Sequence, residues 1–165
     1  NKKVISISLR KRVSPKSNFD LKLVNLKREK PQYKNLKYKK ILKHLIKMDN
    51  SKSDIGLVYK KMILETGTSN LLFIRKNKIY TPTKGYYEGN TFKFFKSKIK
   101  NMIKRDIFVK DLKNYDEILL VGSGKGIASI KTIKQIGWKR KNLKTFKVLS
   151  TYYKSITKKC RLHRF

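Results

Sequence analysis

Acidic residues are scarce in this chain. Against 44 Lys and Arg stand 10 Asp and Glu, a formal net charge of +34 over 165 residues. Cysteine is scarcer still. The single thiol, Cys160, allows no internal disulfide, and no Cys/His cluster has zinc-ligand spacing. That pattern fits a reducing, cytoplasmic compartment. Long apolar runs are missing too. None approaches the roughly 18 residues of a membrane span, and Asn1 to Val13 alternates polar and apolar residues instead of forming the apolar core of a signal peptide. No linker or repeat divides the sequence, which reads as one domain over residues 1–165. It begins with Asn1 rather than Met, as a fragment or a processed chain does.

The positive charge has two readings. Cationic surfaces gain affinity for nucleic acids by releasing counterions from phosphates. Lysine is also what a compositionally biased proteome places on solvated faces, and here it is spread along the whole chain beside Asn, Ile and Tyr. Lysine stems cover apolar surface while their heads stay in water. The aromatics fall on the apolar sides of helical patterns (Phe92 and Phe95, Phe146 and Tyr153) and are not interleaved with lysines as a stacking surface requires. Nucleic-acid binding is therefore the less favoured reading.

Hydrophobic periodicity predicts an α/β (α+β) chain of mixed strands with flanking helices. Strands are expected at Lys2–Val13, Leu21–Leu26, Ile55–Tyr59, Met62–Leu64, Asn70–Arg75, Lys78–Thr81, Ile107–Val109, Ile118–Val121 and Ile127–Ile133. Tight basic turns are expected at Lys60-Lys61 and Lys76-Asn77. Amphipathic helices are expected at Leu36–Met48, Thr91–Lys104 and Asn142–Lys158.

Four segments carry chemistry. Lys34-Asn35-Leu36-Lys37-Tyr38 precedes the first helix. Glu65-Thr66-Gly67-Thr68-Ser69-Asn70 places a rare acid between an apolar stretch and small polar residues; it either caps a turn or faces a cationic or protonated partner. Gly89-Asn90-Thr91 opens the second helix, as a plain N-cap or as a phosphate cradle of free N–H groups with a hydroxyl. Gly122-Ser123-Gly124-Lys125-Gly126 follows a buried strand. It lacks the G-K-[ST] of a Walker loop. As a methyltransferase-like glycine loop it lacks the later acid that binds a ribose. His44 and His163 have no partner nearby in sequence.

Taken in this order, the segments resemble the fold-type-IV pyridoxal-phosphate enzymes, the family of branched-chain and D-amino-acid aminotransferases and 4-amino-4-deoxychorismate lyase. Glu65 to Phe73 is similar to the family's E-G-x-x-S-N-[LV]-F. Tyr80-Thr81-Pro82 with Gly89-Asn90-Thr91 is similar to its Y-T-P…G-I-T-R, and Asp116 to Ser123 to its D-E-[VL]-F-x-T-[GN]-[ST]. The resemblance covers Pro31 to Ile133 and implies the large C-terminal domain of the D-amino-acid aminotransferase-like fold, without the family's smaller N-terminal domain. It implies pyridoxal 5'-phosphate (PLP) as cofactor, with Lys34, 31 positions before Glu65, as its attachment lysine and Lys37 as the rival. Glu65 is implied to face the pyridine nitrogen. Gly89, Asn90, Thr91 and Ser123 are implied to hold the phosphate, Tyr87 to lie on the ring face, and Tyr38 to reach the ring hydroxyl. Phe92 departs from the family's arginine. The resemblance also implies an amino-acid-like small-molecule substrate and a homodimer, although the charge opposes self-association. Tyr33-Lys34-Asn35-Leu36 lacks the glycine-rich stretch of branched-chain enzymes, which tilts the expectation toward the lyase, active in folate synthesis.

Overall fold

A computed structural model describes residues 16–33 and 37–159. The strand expected at Lys2–Val13, together with Lys34, Cys160 and His163, lies outside the described residues.

The described strands are β1 (Asn18–Asn25), β2 (Ser53–Tyr59), β3 (Met62–Thr66), β4 (Asn70–Arg75), β5 (Lys78–Thr81), β6 (Met102–Lys104), β7 (Glu117–Gly122), β8 (Gly126–Ile133) and β9 (Trp138–Lys139). The helices are α1 (Lys39–Leu45), α2 (Asn90–Lys98) and α3 (Lys144–Lys159). All nine strands form one sheet in the order β3-β2-β1-β8-β7-β4-β5-β6, with β9 added beside β8. Strand β1 runs parallel to both β2 and β8, and β5 runs parallel to β6, whereas β7 is antiparallel to β4 and β8. The sheet is thus mixed, as expected.

Two short hairpins obey the sequence closely. Lys60 and Lys61, and then Lys76 and Asn77, all adopt positive φ. Two successive residues of that kind make the turn whose twist matches its flanking strands.

The sheet curls. Beyond β6 the chain returns to the opposite edge, where the Ile63 N–H donates to the Ile107 carbonyl and the Val109 N–H to the Lys61 carbonyl, both at 2.9 Å. A short 3-10 turn, Val109–Asn114, follows. The strand expected at Ile107–Val109 is therefore a single bridge between Met62 and Phe108.

Alternation splits β4 and β7 between two cores. Leu71, Phe73, Ile118 and Leu120 face inside the curl with Phe19, Ile130 and Trp138. Leu72, Ile74, Leu119 and Val121 face outward under Phe92 and Phe95 of α2 and Leu149 of α3. A third cluster seats Ile41 and Leu45 of α1 on Ile55 and Leu57 of β2. Both faces of the central strands are covered, which explains why β7 is buried at every position.

Two helices are shorter than their periodicity predicts. The first covers seven residues, Lys39–Leu45. The second ends at Lys98, and Met102 and Ile103, expected on its apolar side, form β6 against Ile79 and Tyr80 of β5. Their spacing from Phe92, Phe95 and Ile99 stays in helical phase, so only the pairing with β5 distinguishes strand from helix.

Helix α3 is anchored by an acid. Glu117 is buried, its Oε1 accepting the Thr145 N–H at 2.8 Å and its Oε2 the Phe146 N–H at 2.9 Å. First-turn N–H groups have no intrahelical partner, and an anion there also meets the positive end of the helix dipole. Glu117→Ala is expected to lower stability by about 2 kcal/mol, the upper end for loss of a helix cap. The measurement is a urea unfolding curve, with a lower midpoint and an unchanged slope.

Candidate active site

One end of the curled sheet carries a cavity of about 430 Å³. Five segments meet there: Arg28 after β1, Tyr38 and α1, the β3–β4 turn, the loop before α2, and the β7–β8 turn. The hydrogen bonds of the β3–β4 turn explain why they meet.

In that turn the Thr66 N–H donates to the Ser69 carbonyl at 2.8 Å, and the Ser69 N–H donates to Thr66 Oγ1 at 2.8 Å. A Cβ at Gly67 would stand 3.0 Å from side-chain atoms of both Ile55 and Leu45, so a bare glycine lets the turn settle on α1 and β2. Asn70 then clamps the loop before α2. Its Nδ2 donates to the Tyr87 carbonyl at 2.7 Å, and its Oδ1 accepts the Gly89 N–H at 3.1 Å. This amide joins the second and third sequence segments at two points.

Glu65 is 3% exposed and lines the cavity. Its Oε1 accepts Arg28 Nε at 2.8 Å, while its Oε2 holds only a long 3.4 Å contact from the Tyr87 N–H. Burial raises the carboxyl above its ordinary range, and the charge and hydrogen bond of Arg28 oppose that rise. Oε2 keeps room for a further donor.

The α2 N-terminus forms another wall. Gly89 and Asn90 line the cavity, and Thr91 Oγ1 lies 3.3 Å from Ser123 Oγ. The first-turn N–H groups of Asn90 and Thr91 find no carbonyl within the helix. Together they make a place for an anion. Ser123 is carried by a three-residue hairpin turn in which the Lys125 N–H donates to the Gly122 carbonyl at 3.1 Å and Gly126 takes φ 65°. This is a type I turn closed by a left-handed glycine. The glycine-rich run joins two antiparallel strands, so the strand-to-helix geometry of a nucleotide loop is not formed there.

Tyr38, Glu65, Tyr87, Gly89, Asn90 and Ser123 all line one cavity, and Thr91 touches Ser123. Lys34 lies outside the described residues, four positions before Tyr38, and Lys37 is exposed. Phe92 is fully buried, edge-on to Tyr86 with ring centroids 5.7 Å apart.

Sequence reasoning passed over Arg28 and Asn70. The only signal for Arg28 is that an arginine stands where lysine is the common choice; its planar guanidinium suits a buried carboxylate better. Asn70 belongs to the motif around Glu65, which carries no local sign of its bridging role.

In sequence, residues 5–133 match the model of the amino-transferase class IV family. The chain belongs to that family. No curated protein sequence matches it. Among solved structures, it is similar to a branched-chain aminotransferase from Thermoproteus uzoniensis with norvaline (TM-score 0.69, 19% identity, 88% of this chain and 52% of that one). It is also similar to a 4-amino-4-deoxychorismate lyase from Pseudomonas aeruginosa (TM-score 0.65, 16% identity, 86% and 53%). A third is an aminotransferase from Brucella abortus bound to PLP (TM-score 0.69, 18% identity, 90% and 57%). This class IV chain therefore spans little more than half the length of these relatives, and at such identities the likeness is one of fold.

The Glu65–Arg28 pair has a pH signature. A carboxyl whose pKa is raised by folding binds more protons in the native state, so its contribution to stability falls as pH rises from its ordinary 4.5 through the raised native value. Arg28→Met removes the opposing charge. The Glu65 carboxyl is expected to titrate higher still, and the window of falling stability to extend upward. Carboxyl carbon NMR titration and unfolding midpoints across pH check both.

Proposed function

We propose that this chain is the cofactor-binding domain of a PLP-dependent class IV enzyme, acting as a 4-amino-4-deoxychorismate lyase that releases pyruvate and leaves 4-aminobenzoate. The observation that carries the reading is the pairing, in one cavity, of a buried carboxylate with an open oxygen and a helix N-terminus with two hydroxyls. A protonated ring nitrogen and a phosphate are complementary to those two features. The residues fit the group.

When bound, PLP supplies a ring that withdraws electrons from the substrate Cα. Lys34 would be the residue that anchors the cofactor through its Nζ and that moves the proton at the substrate Cα. A lysine in that role would need a neutral amine, a form that burial and neighbouring positive charge favour in any lysine. Glu65 would face the ring nitrogen through Oε2 and favour its protonated form, while the charge and hydrogen bond of Arg28 oppose the rise that burial imposes on the Glu65 carboxyl. The N–H groups of Asn90 and Thr91, with the Thr91 and Ser123 hydroxyls and the unencumbered backbone of Gly89, hold the phosphate. Tyr87 and Tyr38, both lining the cavity, would hold the ring face and the ring hydroxyl.

The lyase is favoured over the transaminase because Tyr33-Lys34-Asn35-Leu36 lacks the glycine-rich stretch that follows the lysine in branched-chain enzymes. Amino-acid transamination, of branched-chain or D-amino acids, is the second reading, supported by the likeness to branched-chain aminotransferases. Either way we place the enzyme in the cytoplasm as a homodimer, with the small N-terminal domain of its relatives completing the substrate pocket. Nucleic acid is the weaker partner, because the exposed aromatics among the described residues, Tyr33, Phe108 and Tyr152, come from three separate segments.

Borohydride reduction of the full-length protein with PLP, followed by peptide mass mapping, is expected to find a phosphopyridoxyl adduct on Lys34. An adduct on Lys37 would move the attachment site, and no adduct would sink the PLP reading. With 4-amino-4-deoxychorismate, formation of 4-aminobenzoate without any keto-acid acceptor is the lyase result. Turnover only when a keto acid is supplied is the transaminase result.

A further inference from the structure

Beneath the cavity lies a second buried ion pair that the mechanism above does not use. Asp54, at the start of β2, is fully buried, and the Lys125 side chain is 9% exposed. Lys125 Nζ stands 2.6 Å from Asp54 Oδ2 and 2.7 Å from Thr68 Oγ1. The Thr68 hydroxyl in turn donates to Asp54 Oδ2 at 2.6 Å. Asp54 Oδ1 accepts the Ile55 N–H at 2.8 Å, and the Thr66 hydroxyl lies 2.9 Å from Oδ2. The ammonium also sits 4.7 Å from the centre of the Phe19 ring, within cation–π range.

The location gives this pair a task. Lys125 belongs to the turn that carries Ser123, and Thr68 lines the cavity. Gly122, Gly124 and Gly126 give that turn little stiffness of its own, since glycine has the widest backbone freedom. Its surface is fitted to the β3–β4 turn. A Cβ at Gly122 would meet Ser69 Oγ at 2.9 Å and the Thr68 carbonyl at 3.1 Å. Within Ser123–Lys125 only two residues have side chains. One hydroxyl reaches Thr91, and the ammonium is tied down to Asp54 and Thr68.

We infer that Lys125 is a positioning residue, whose buried ion pair with Asp54 fastens the glycine-rich turn and so holds Ser123 in the anion cradle. The inference rests on the cofactor reading proposed above. Held in place beforehand, the Ser123 hydroxyl meets a phosphate without the entropy cost of ordering three glycines at the moment of binding. Lys125 acts on the anion through the turn, and the group it serves is the phosphate alone.

That restriction supplies the test. Binding of PLP and of pyridoxal, which lacks the phosphate, is titrated by absorbance in the full-length protein and in two variants. Lys125→Met leaves Asp54 without its cation and is expected to cost stability. The double variant Asp54→Asn, Lys125→Met removes both charges, so it leaves no uncompensated buried ion. Thermal melting monitors each. The expected result is that wild type prefers PLP over pyridoxal, and that the double variant loses about 10-fold of that preference with its pyridoxal affinity unchanged. That is the lower end of what a lost supporting contact costs around a bound ion. Retention of the full preference by the double variant would overturn the inference and leave the cofactor reading intact. Equal weakening of both ligands would overturn it too, as a general structural effect. A wild-type protein that binds PLP no better than pyridoxal would bring down the phosphate cradle, and the inference with it.

Discussion

A carboxylate removed from water must be given its partners by the protein, because an unpaired buried charge costs several kcal/mol. Three of the ten acids in this chain, Asp54, Glu65 and Glu117, are buried. Each is satisfied by an element distant in sequence. Glu117 draws in the first turn of α3, Glu65 draws in Arg28 and the backbone of Tyr87, and Asp54 draws in the β3–β4 and β7–β8 turns. In a protein that is almost everywhere cationic, these acids are fixed points around which positive groups and free N–H groups gather.

The sheet explains why two of those points fall at one end. Strands β4 and β7 are apolar on both faces between their ends, which leaves little room for polar side chains along their length. Polar groups are tolerated where strands stop, and Asp54, Glu65, Thr66, Ser69 and Asn70 all sit at such stops. Once there, they hydrogen-bond across chain breaks that the sheet itself does not join. The Asn70 amide is the clearest case: it fastens the loop before α2, and so sets where that helix begins and what its free N–H groups face.

What the sequence made legible follows from how local each signal is. Strands β2, β4, β5, β7 and β8 and the two lysine-rich hairpins were readable because alternation and turn chemistry act over a few residues. That Tyr38, Glu65, Tyr87, Gly89, Asn90 and Ser123 would gather around one cavity was readable only through their order along the chain. Arg28, the bridging role of Asn70 and the Asp54–Lys125 pair were not, since each depends on a partner that only the folded sheet brings near; Lys125 and Asp54 are 71 positions apart. The shortened α2 has the same origin. Met102 and Ile103 carry a valid helical phase and become β6 because β5 offers an open edge.

The distribution of positive charge follows the same logic. The cations that meet buried acids are Arg28, with 15% of its side chain exposed, and Lys125 with 9%, whereas Lys52, Lys96 and Lys141 pair with acids at much more exposed positions. Exposed pairs of that kind contribute little to stability and are screened by salt. The excess of +34 is therefore carried mainly by solvated side chains, where it bears on association and solubility and leaves the choice of fold to the apolar pattern beneath. Added salt should accordingly ease self-association by screening that surface, while the paired charges at the end of the sheet, shielded from solvent, stay largely indifferent to it.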